Sequence, residues 1–161
     1  MTTYPRSLLA LCAMSTALVL ASAWPVQARD LPGPPAVAIQ ERLTQARADI
    51  YAGNWALALG GLRDAALEEP GNADVHNLLG YTYRKQAAPN LPKAFEHYKT
   101  ALSLNPRHKG AHEYIGEAYL MDKKPQEAEK HLVELEKICG NKTCEEYADL
   151  AKAIADYKAR K

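Results

Sequence analysis

Two cysteines near the carboxyl end are the residues whose spacing comes nearest to defining a chemistry. Cys139 and Cys144 lie in the segment ICGNKTCEEY, in a C-x4-C arrangement. Such a pair could form a structural disulfide, exchange disulfides with other thiols, or supply two ligands to a metal site. A redox centre more often has C-x-x-C spacing, and a metal site would need two further ligands, which do not stand close in the sequence. We therefore favour a structural disulfide over the other two roles.

The residues around the two cysteines place them on either side of a tight turn between helices. Gly140 is suited to end a helix in a left-handed conformation, which leaves Cys139 on the last turn of that helix. Thr143 and Glu146 form a capping-box pattern, so Cys144 is predicted to be the first residue of the final helix. Closing so short a loop would stabilise the fold by roughly 2 kcal/mol in the chain-entropy treatment.

The five histidines invite a metal hypothesis that their spacing does not support. His108 and His112 are four residues apart, but NPRH places His108 in a turn or on the first residue of a helix. His76 and His112 are 36 residues apart at matching positions, so their backbones should be separated by about 9 Å, which is wide for a shared ion. His97 and His131 also correspond to each other, and we expect them on the convex surface. We predict packing histidines and no metal site.

Catalytic motifs are also missing from the sequence. It contains no nucleophile elbow, no H-E-x-x-H motif and no phosphate-binding glycine loop. Many of its carboxylates lie on predicted helices, where a Glu–Lys spacing of three or four is typical of a solvated face. We predict that the protein is not an enzyme and uses no cofactor.

The first 28 residues have the organisation of a secretory signal. One basic residue, Arg6, precedes an apolar run, and Val26-Gln27-Ala28 fits the small-x-small rule for cleavage after Ala28. Ala21-Ser22-Ala23 is a competing cleavage site. The alternative is a retained membrane anchor, since the apolar stretch over 8–24 could nearly span a bilayer. A cleaved signal predicts a periplasmic protein without stable membrane insertion, and an oxidising compartment favours the disulfide.

Charge balance excludes one class of partner. The chain holds 20 basic and 19 acidic residues, and residues 1–28 account for one of the basic residues and none of the acidic ones. The remaining 133 residues therefore carry no net charge and no electrostatic signature of nucleic-acid or anionic-membrane binding. They are enough for one domain with a hydrophobic core.

Helix-compatible segments fill the chain after a proline-rich lead-in at residues 29–36. Seven such segments alternate with breaks of a few residues, and none shows the period-two alternation of a strand. The predicted fold class is all-α, with antiparallel neighbouring helices.

A sparse pattern is repeated along these helices. HNLLGYTY at 76–83 is followed 36 positions later by HEYIGEAY at 112–119, with His, Gly and Tyr at the same places. Small residues recur in the second helix of each pair, at Ala58, Ala94 and Ala128. Because small residues allow two helices to approach closely, we expect Gly80 to lie beneath Ala94, and Gly116 beneath Ala128.

These residues resemble the tetratricopeptide repeat, a helix–turn–helix unit of about 34 residues. The pattern is carried by Leu79, Gly80, Tyr83, Ala94, Tyr98, Ala101 and Pro106, and again by Ile115, Gly116, Tyr119, Ala128 and Leu132. The C-x4-C-E-E-Y segment is similar to the tail of small exported bacterial repeat proteins. The resemblance implies a short right-handed α-solenoid with three repeats, at approximately 37–72, 73–108 and 109–141, and a capping helix at 142–161.

The resemblance also implies a site, because first helices of such repeats line a concave groove that holds a segment of another protein. By repeat register the groove residues are Arg47, Ile50, Tyr51, Asn77, Tyr81, Arg84, Lys85, Glu113, Tyr114 and Glu117. The main hypothesis is a periplasmic protein-binding scaffold acting in assembly or folding of an envelope protein. The alternatives are a thiol-redox or metal-handling accessory that uses the cysteines and histidines, and self-association through the exposed ends of the stack.

Overall fold

The computed structural model describes residues 35–160, and these form seven α-helices joined by short turns. The helices are α1 (Pro35–Tyr51), α2 (Trp55–Glu68), α3 (Ala73–Lys85), α4 (Leu91–Leu104), α5 (Lys109–Met121), α6 (Pro125–Cys139) and α7 (Glu145–Ala159). No strand occurs in this part of the chain, so the predicted all-α class is confirmed. Helix α1 begins at Pro35, two residues inside the segment predicted to be an extended lead-in. The predicted signal segment lies outside the described residues.

Hydrogen bonds between a side chain and nearby backbone N–H groups explain where several helices begin. The Asn72 side chain accepts hydrogen bonds from the backbone N–H groups of Asp74 and Val75 at the start of α3. Asn90 accepts from Lys93 at the start of α4. His108 does the same for α5, since its Nδ1 accepts from the Ala111 N–H at 3.1 Å. Each cap satisfies backbone donors that have no partner within the helix itself.

The helices pack as three antiparallel hairpins stacked side by side. α1 packs on α2, α3 on α4 and α5 on α6, while the first helices α1, α3 and α5 also contact one another in sequence. The small residues predicted at the hairpin contacts, Ala58, Ala94 and Ala128, are buried. Each hairpin buries its apolar face against the next, which is how a repeat stack forms a continuous core. Within the described residues, no helix combines the length and apolarity needed to cross a bilayer.

The two repeated glycines make close contacts, and for both of them the nearest atoms belong to a residue other than the expected alanine. A Cβ atom added at Gly80 would lie 2.6 Å from ring carbons of Tyr98, one turn along α4 from Ala94. A Cβ added at Gly116 would lie 2.7 Å from both methyl groups of Leu150, which belongs to α7. The closest atoms are therefore not those of the predicted partners, Ala94 for Gly80 and Ala128 for Gly116.

Helix α7 fills the space beside Gly116 because it packs on α5 as well as on α6. It therefore occupies the place that the first helix of a fourth unit would take. Leu150 and Ile154 are buried there, in a second apolar cluster with Leu120 and Leu135. The capping helix is thus part of the concave side of the stack.

The turn before α7 contains the disulfide. Cys139 and Cys144 are bonded, with 6.2 Å between their Cα atoms, and Gly140 ends α6 in the predicted left-handed conformation at φ 70°. The predicted capping box is not formed, because α7 starts at Glu145 and Cys144 itself is the N-cap residue. The Thr143 hydroxyl instead donates to the Asn141 side chain at 2.9 Å, within the turn.

Candidate protein-binding groove

The first helices of the three hairpins together line an open cavity of about 440 Å³ on the concave side. Its walls are Arg47, Ile50, Tyr51, Leu78, Tyr81 and Tyr114. Five of these six residues were predicted for the groove from repeat register, and α1, α3 and α5 all contribute. Tyr51 is 96% exposed, so nearly its whole aromatic surface is free for contact. The cavity is therefore mostly aromatic and aliphatic, with one guanidinium at its edge.

Arg84 organises the centre of the groove. Its guanidinium lies 5.4 Å from the Tyr81 ring centroid and 5.6 Å from that of Tyr114, and these two rings are themselves 4.8 Å apart. Arg84 Nη2 forms an ion pair with Glu117 at 2.5 Å, and Nε donates to the Tyr98 hydroxyl at 3.3 Å. Cation–π contacts and a partly buried ion pair hold both tyrosine rings in place.

Burial assigns Arg84 a supporting position. Only 5% of the residue is exposed, and its charge is already paired with Glu117. The guanidinium is therefore not free to act as an exposed anchor, although the tyrosines that it orients remain partly exposed. Burial raises the pKa of Tyr114 to about 12, so its hydroxyl stays protonated at neutral pH and is available as a hydrogen-bond donor.

Lys85 lies at the other side of the same aromatic centre. It is exposed, and its Nζ lies 5.9 Å from the Tyr81 centroid. It borders a second cavity of about 500 Å³, which is shared with α5 and α7. Of the predicted groove cations, Arg47 and Lys85 are exposed, and Lys85 lies beside the face of an aromatic ring.

Asn77 and Glu113, also predicted for the groove, lie in a more deeply buried and acidic region. They are 6% and 8% exposed, and they line a third cavity of about 340 Å³. Burial, with the nearby carboxylates of Glu117, Asp149 and Glu146, raises the pKa of Glu113 to about 8. Glu146 and Asp149 belong to α7 and were not predicted for the site. The only sequence feature that could have indicated these two residues is the group of acidic residues at the start of α7, and acidic residues are common at helix N-termini.

The four repeat-related histidines form two equivalent pairs. His76 Nδ1 lies 3.2 Å from His97 Nδ1, and His112 Nδ1 lies 2.9 Å from His131 Nδ1. The first-helix member of each pair also contacts a proline carbonyl through Nε2 at 3.0 Å, that of Pro70 or Pro106. The expectation that His97 and His131 face the convex surface was wrong, because both turn inward against the first helix.

The proline contacts determine how each pair is protonated when neutral. A carbonyl oxygen only accepts, so Nε2 of His112 must carry its proton and Nδ1 must be an acceptor. His131 therefore donates its Nδ1–H to His112. Burial and the neighbouring imidazole lower the pKa of His131 to about 4, and the same causes lower that of His97. His131 and His97 are thus neutral at pH 7.

The cysteines do not present a thiolate in this structure. Among residues 38–160, Cys139, Cys144 and Glu146 are the one group of three candidate ligands with donor atoms within 4.8 Å of one another. Both sulfurs of this group are bonded to each other, and a metal ligand would need to be a thiolate.

Comparison with known proteins identifies the fold. No protein-family model matches the sequence, and no curated protein matches it. Among solved structures, the type III secretion translocator chaperone SycD of Yersinia enterocolitica, determined as an alternative dimer, superimposes with a TM-score of 0.67. The match has 15% sequence identity and covers 77% of this chain and 94% of that chain. The likeness establishes a helical repeat fold of the tetratricopeptide type.

Proposed function

We propose that this protein is a non-catalytic scaffold that binds a segment of another protein in its concave groove. The observation that carries the proposal is the aromatic cavity lined by all three first helices, with Tyr51 almost fully exposed at its edge. Tyrosine side chains are typical interface anchors because they offer large contact area at little entropic cost. The structurally similar SycD is a secretion chaperone, which agrees with a protein-binding role.

The rigidity of the cavity supports binding in preference to a merely exposed surface. Tyr81 and Tyr114 are held by Arg84, which is in turn held by Glu117 and Tyr98. Side chains that are already ordered lose less conformational entropy when a partner binds. The tyrosine rings of the groove are thus already ordered before a partner binds.

Site-specific photo-crosslinking in cells tests the groove assignment. A photoreactive phenylalanine analogue at Tyr51 should yield a discrete adduct with one protein, and Tyr81→Ala in the same chain should remove that adduct. The analogue at Lys99, an exposed residue of α4 outside the groove, is the matched control. Equal adducts at positions 51 and 99, or an adduct at 51 that survives Tyr81→Ala, would exclude the groove as the binding surface.

We also propose that the protein acts in the periplasm, in the assembly or folding of an envelope protein. The support is the arrangement of residues 1–28 and the cysteine pair, which oxidising compartments favour. Mass spectrometry of the protein from fractionated cells should give an amino terminus at Arg29. An uncleaved chain in the membrane fraction would indicate an anchor instead.

Self-association remains a second prediction for the same chain, through the exposed ends of the stack. Light scattering across a concentration series tests it directly, and a constant monomer mass would exclude it.

A further inference from the structure

The acidic cavity beside the aromatic groove has an imbalance of charge. The five carboxyl groups that line it are those of Asp74, Glu113, Glu145, Glu146 and Asp149, and they face one guanidinium, that of Arg47. The Asp74 carboxylate is hydrogen-bonded to His108 Nε2 at 3.0 Å, and the Glu146 carboxylate lies 3.6 Å from Lys109 Nζ. Within residues 38–160, the other three carboxylates form no ion pair. A cavity with this lining has a negative potential that favours a cation.

Two buried polar groups of this cavity, among the described residues, have no charged partner, and one of them has no hydrogen-bond partner. Asn77 Oδ1 is buried without a donor. Glu113 is 8% exposed and forms no ion pair among the described residues. Asn77 Oδ1 is an acceptor, and Glu113 becomes one when an incoming cation displaces its proton; a buried acceptor without a donor costs free energy. The structure therefore lacks a donor at Asn77 Oδ1, beside a carboxyl group whose ionised form is desolvated.

The spacing of the carboxylates favours an extended cation over a bare metal ion. No three of their oxygens, taken with nearby histidines, lie within 4.8 Å of one another; in residues 38–160 only the cysteine group meets that condition. A metal ion needs several ligand atoms around one point. A guanidinium or ammonium group instead carries several donors that can bond to acceptors spread along a cavity wall.

The acidic cavity is continuous with the aromatic one. Arg47, Leu78 and Tyr114 line both, so a polypeptide lying across the tyrosines would pass the mouth of the acidic cavity. We propose that this cavity is a specificity pocket for a basic side chain, lysine or arginine, of the segment that occupies the groove. This inference rests on the proposed function and adds the chemistry of one partner residue to it.

Small probes test the pocket separately from the groove. N-acetyl-arginine amide and N-acetyl-lysine amide would be titrated into the ¹⁵N-labelled protein, with N-acetyl-citrulline amide as the neutral isostere of arginine. The Asn77 side-chain amide and the Gly110 backbone amide are the reporters, because Gly110 lies against Asn77. We expect the charged probes to shift both signals and citrulline to shift neither.

Variants identify the residues responsible. Glu113→Gln keeps the shape and removes the carboxylate that forms when a cation displaces the proton, and should weaken binding of the arginine probe about tenfold, the scale of a charge-assisted hydrogen bond. Asp149→Asn, at an exposed position, should weaken it less, and it remains informative if the first variant does not fold. Glu41→Gln, an exposed carboxylate on α1 away from the cavity, is the control and should leave binding unchanged.

Each outcome decides the proposal. Equal shifts with citrulline, or arginine binding that Glu113→Gln and Asp149→Asn leave unchanged, would overturn it. Shifts produced by calcium or magnesium chloride but by neither charged probe would overturn it in favour of a metal site. If the adduct at position 51 forms normally while the charged probes do not bind, the pocket fails and the scaffold function stands. If the charged probes bind and no adduct forms at position 51, the scaffold function fails and the cation-binding pocket stands.

Discussion

Replacing Gly116 by alanine tests whether α7 packs directly on the last hairpin. The added Cβ would lie 2.7 Å from both Leu150 methyl groups. Ordinary carbon–carbon contacts are about 3.5–4.0 Å, so the Leu150 side chain would have to retreat by about 0.8 Å or more. It is fully buried and has little room to do so.

The expected magnitude follows from two opposing effects. Alanine in a helix interior is about 1 kcal/mol more favourable than glycine. Overpacking a filled core costs about 1–3 kcal/mol. We expect Gly116→Ala to lower the free energy of unfolding by up to about 2 kcal/mol, and Gly80→Ala, whose Cβ would meet the buried Tyr98 ring at 2.6 Å, by at least as much.

Two other glycines provide matched controls within the same fold. Gly60 and Gly61 lie in α2, are exposed, and have no atom within 4 Å of an added Cβ. Alanine there should raise the free energy of unfolding by about 0.5–1 kcal/mol, because only the backbone effect remains. The same substitution should therefore have opposite signs at the two kinds of position.

Urea denaturation followed by circular dichroism gives the required free energies. Combining Gly116→Ala with Leu150→Ala should cost less than the sum of the two single changes, because removing the isobutyl group makes room for the new methyl group. A gain in stability from Gly116→Ala equal to that at Gly60 and Gly61, or single changes that are simply additive, would refute the contact between α5 and α7.

Three further predictions concern ionisable groups and the disulfide. Acidification from pH 7 to 4 should lower the free energy of unfolding of the unchanged protein by about 1–2 kcal/mol more than that of the His131→Phe variant. The reason is that the folded-state pKa of His131 is about 4, so the unfolded chain binds the proton first. Parallel pH profiles of the two proteins in urea titrations would contradict this. Glu113 has a raised folded-state pKa of about 8, so the native state keeps its proton longer than the unfolded chain does. Stability should therefore fall as the pH rises from about 5 to 8, and Glu113→Gln should flatten that slope and be more stable at pH 8 by about 1–3 kcal/mol. Replacing both Cys139 and Cys144 by serine should lower the free energy of unfolding by about 2 kcal/mol, and an unchanged urea midpoint would show that the disulfide contributes nothing.

The sequence by itself determined the helices and their repetition. Gly140, the prolines and the asparagines before α3 and α4 mark helix ends through local geometry, so their effects are visible without a fold. The spacing of small residues at Ala58, Ala94 and Ala128 predicts a hairpin contact, because each repeat packs its two helices in the same way. The groove residues followed from the same register.

Only the tertiary structure decided which side chains meet between different hairpins. Leu150 is the partner of Gly116 because α7 occupies the place that the first helix of a fourth repeat would take. No residue near Gly116 in the sequence indicates this contact. The inward turn of His131 and the burial of Arg84 and Glu113 depend likewise on contacts between separate helices. Repeat register specifies the direction in which a side chain leaves its helix, whereas its partner, its exposure and its pKa depend on what the neighbouring helices bring to the same place.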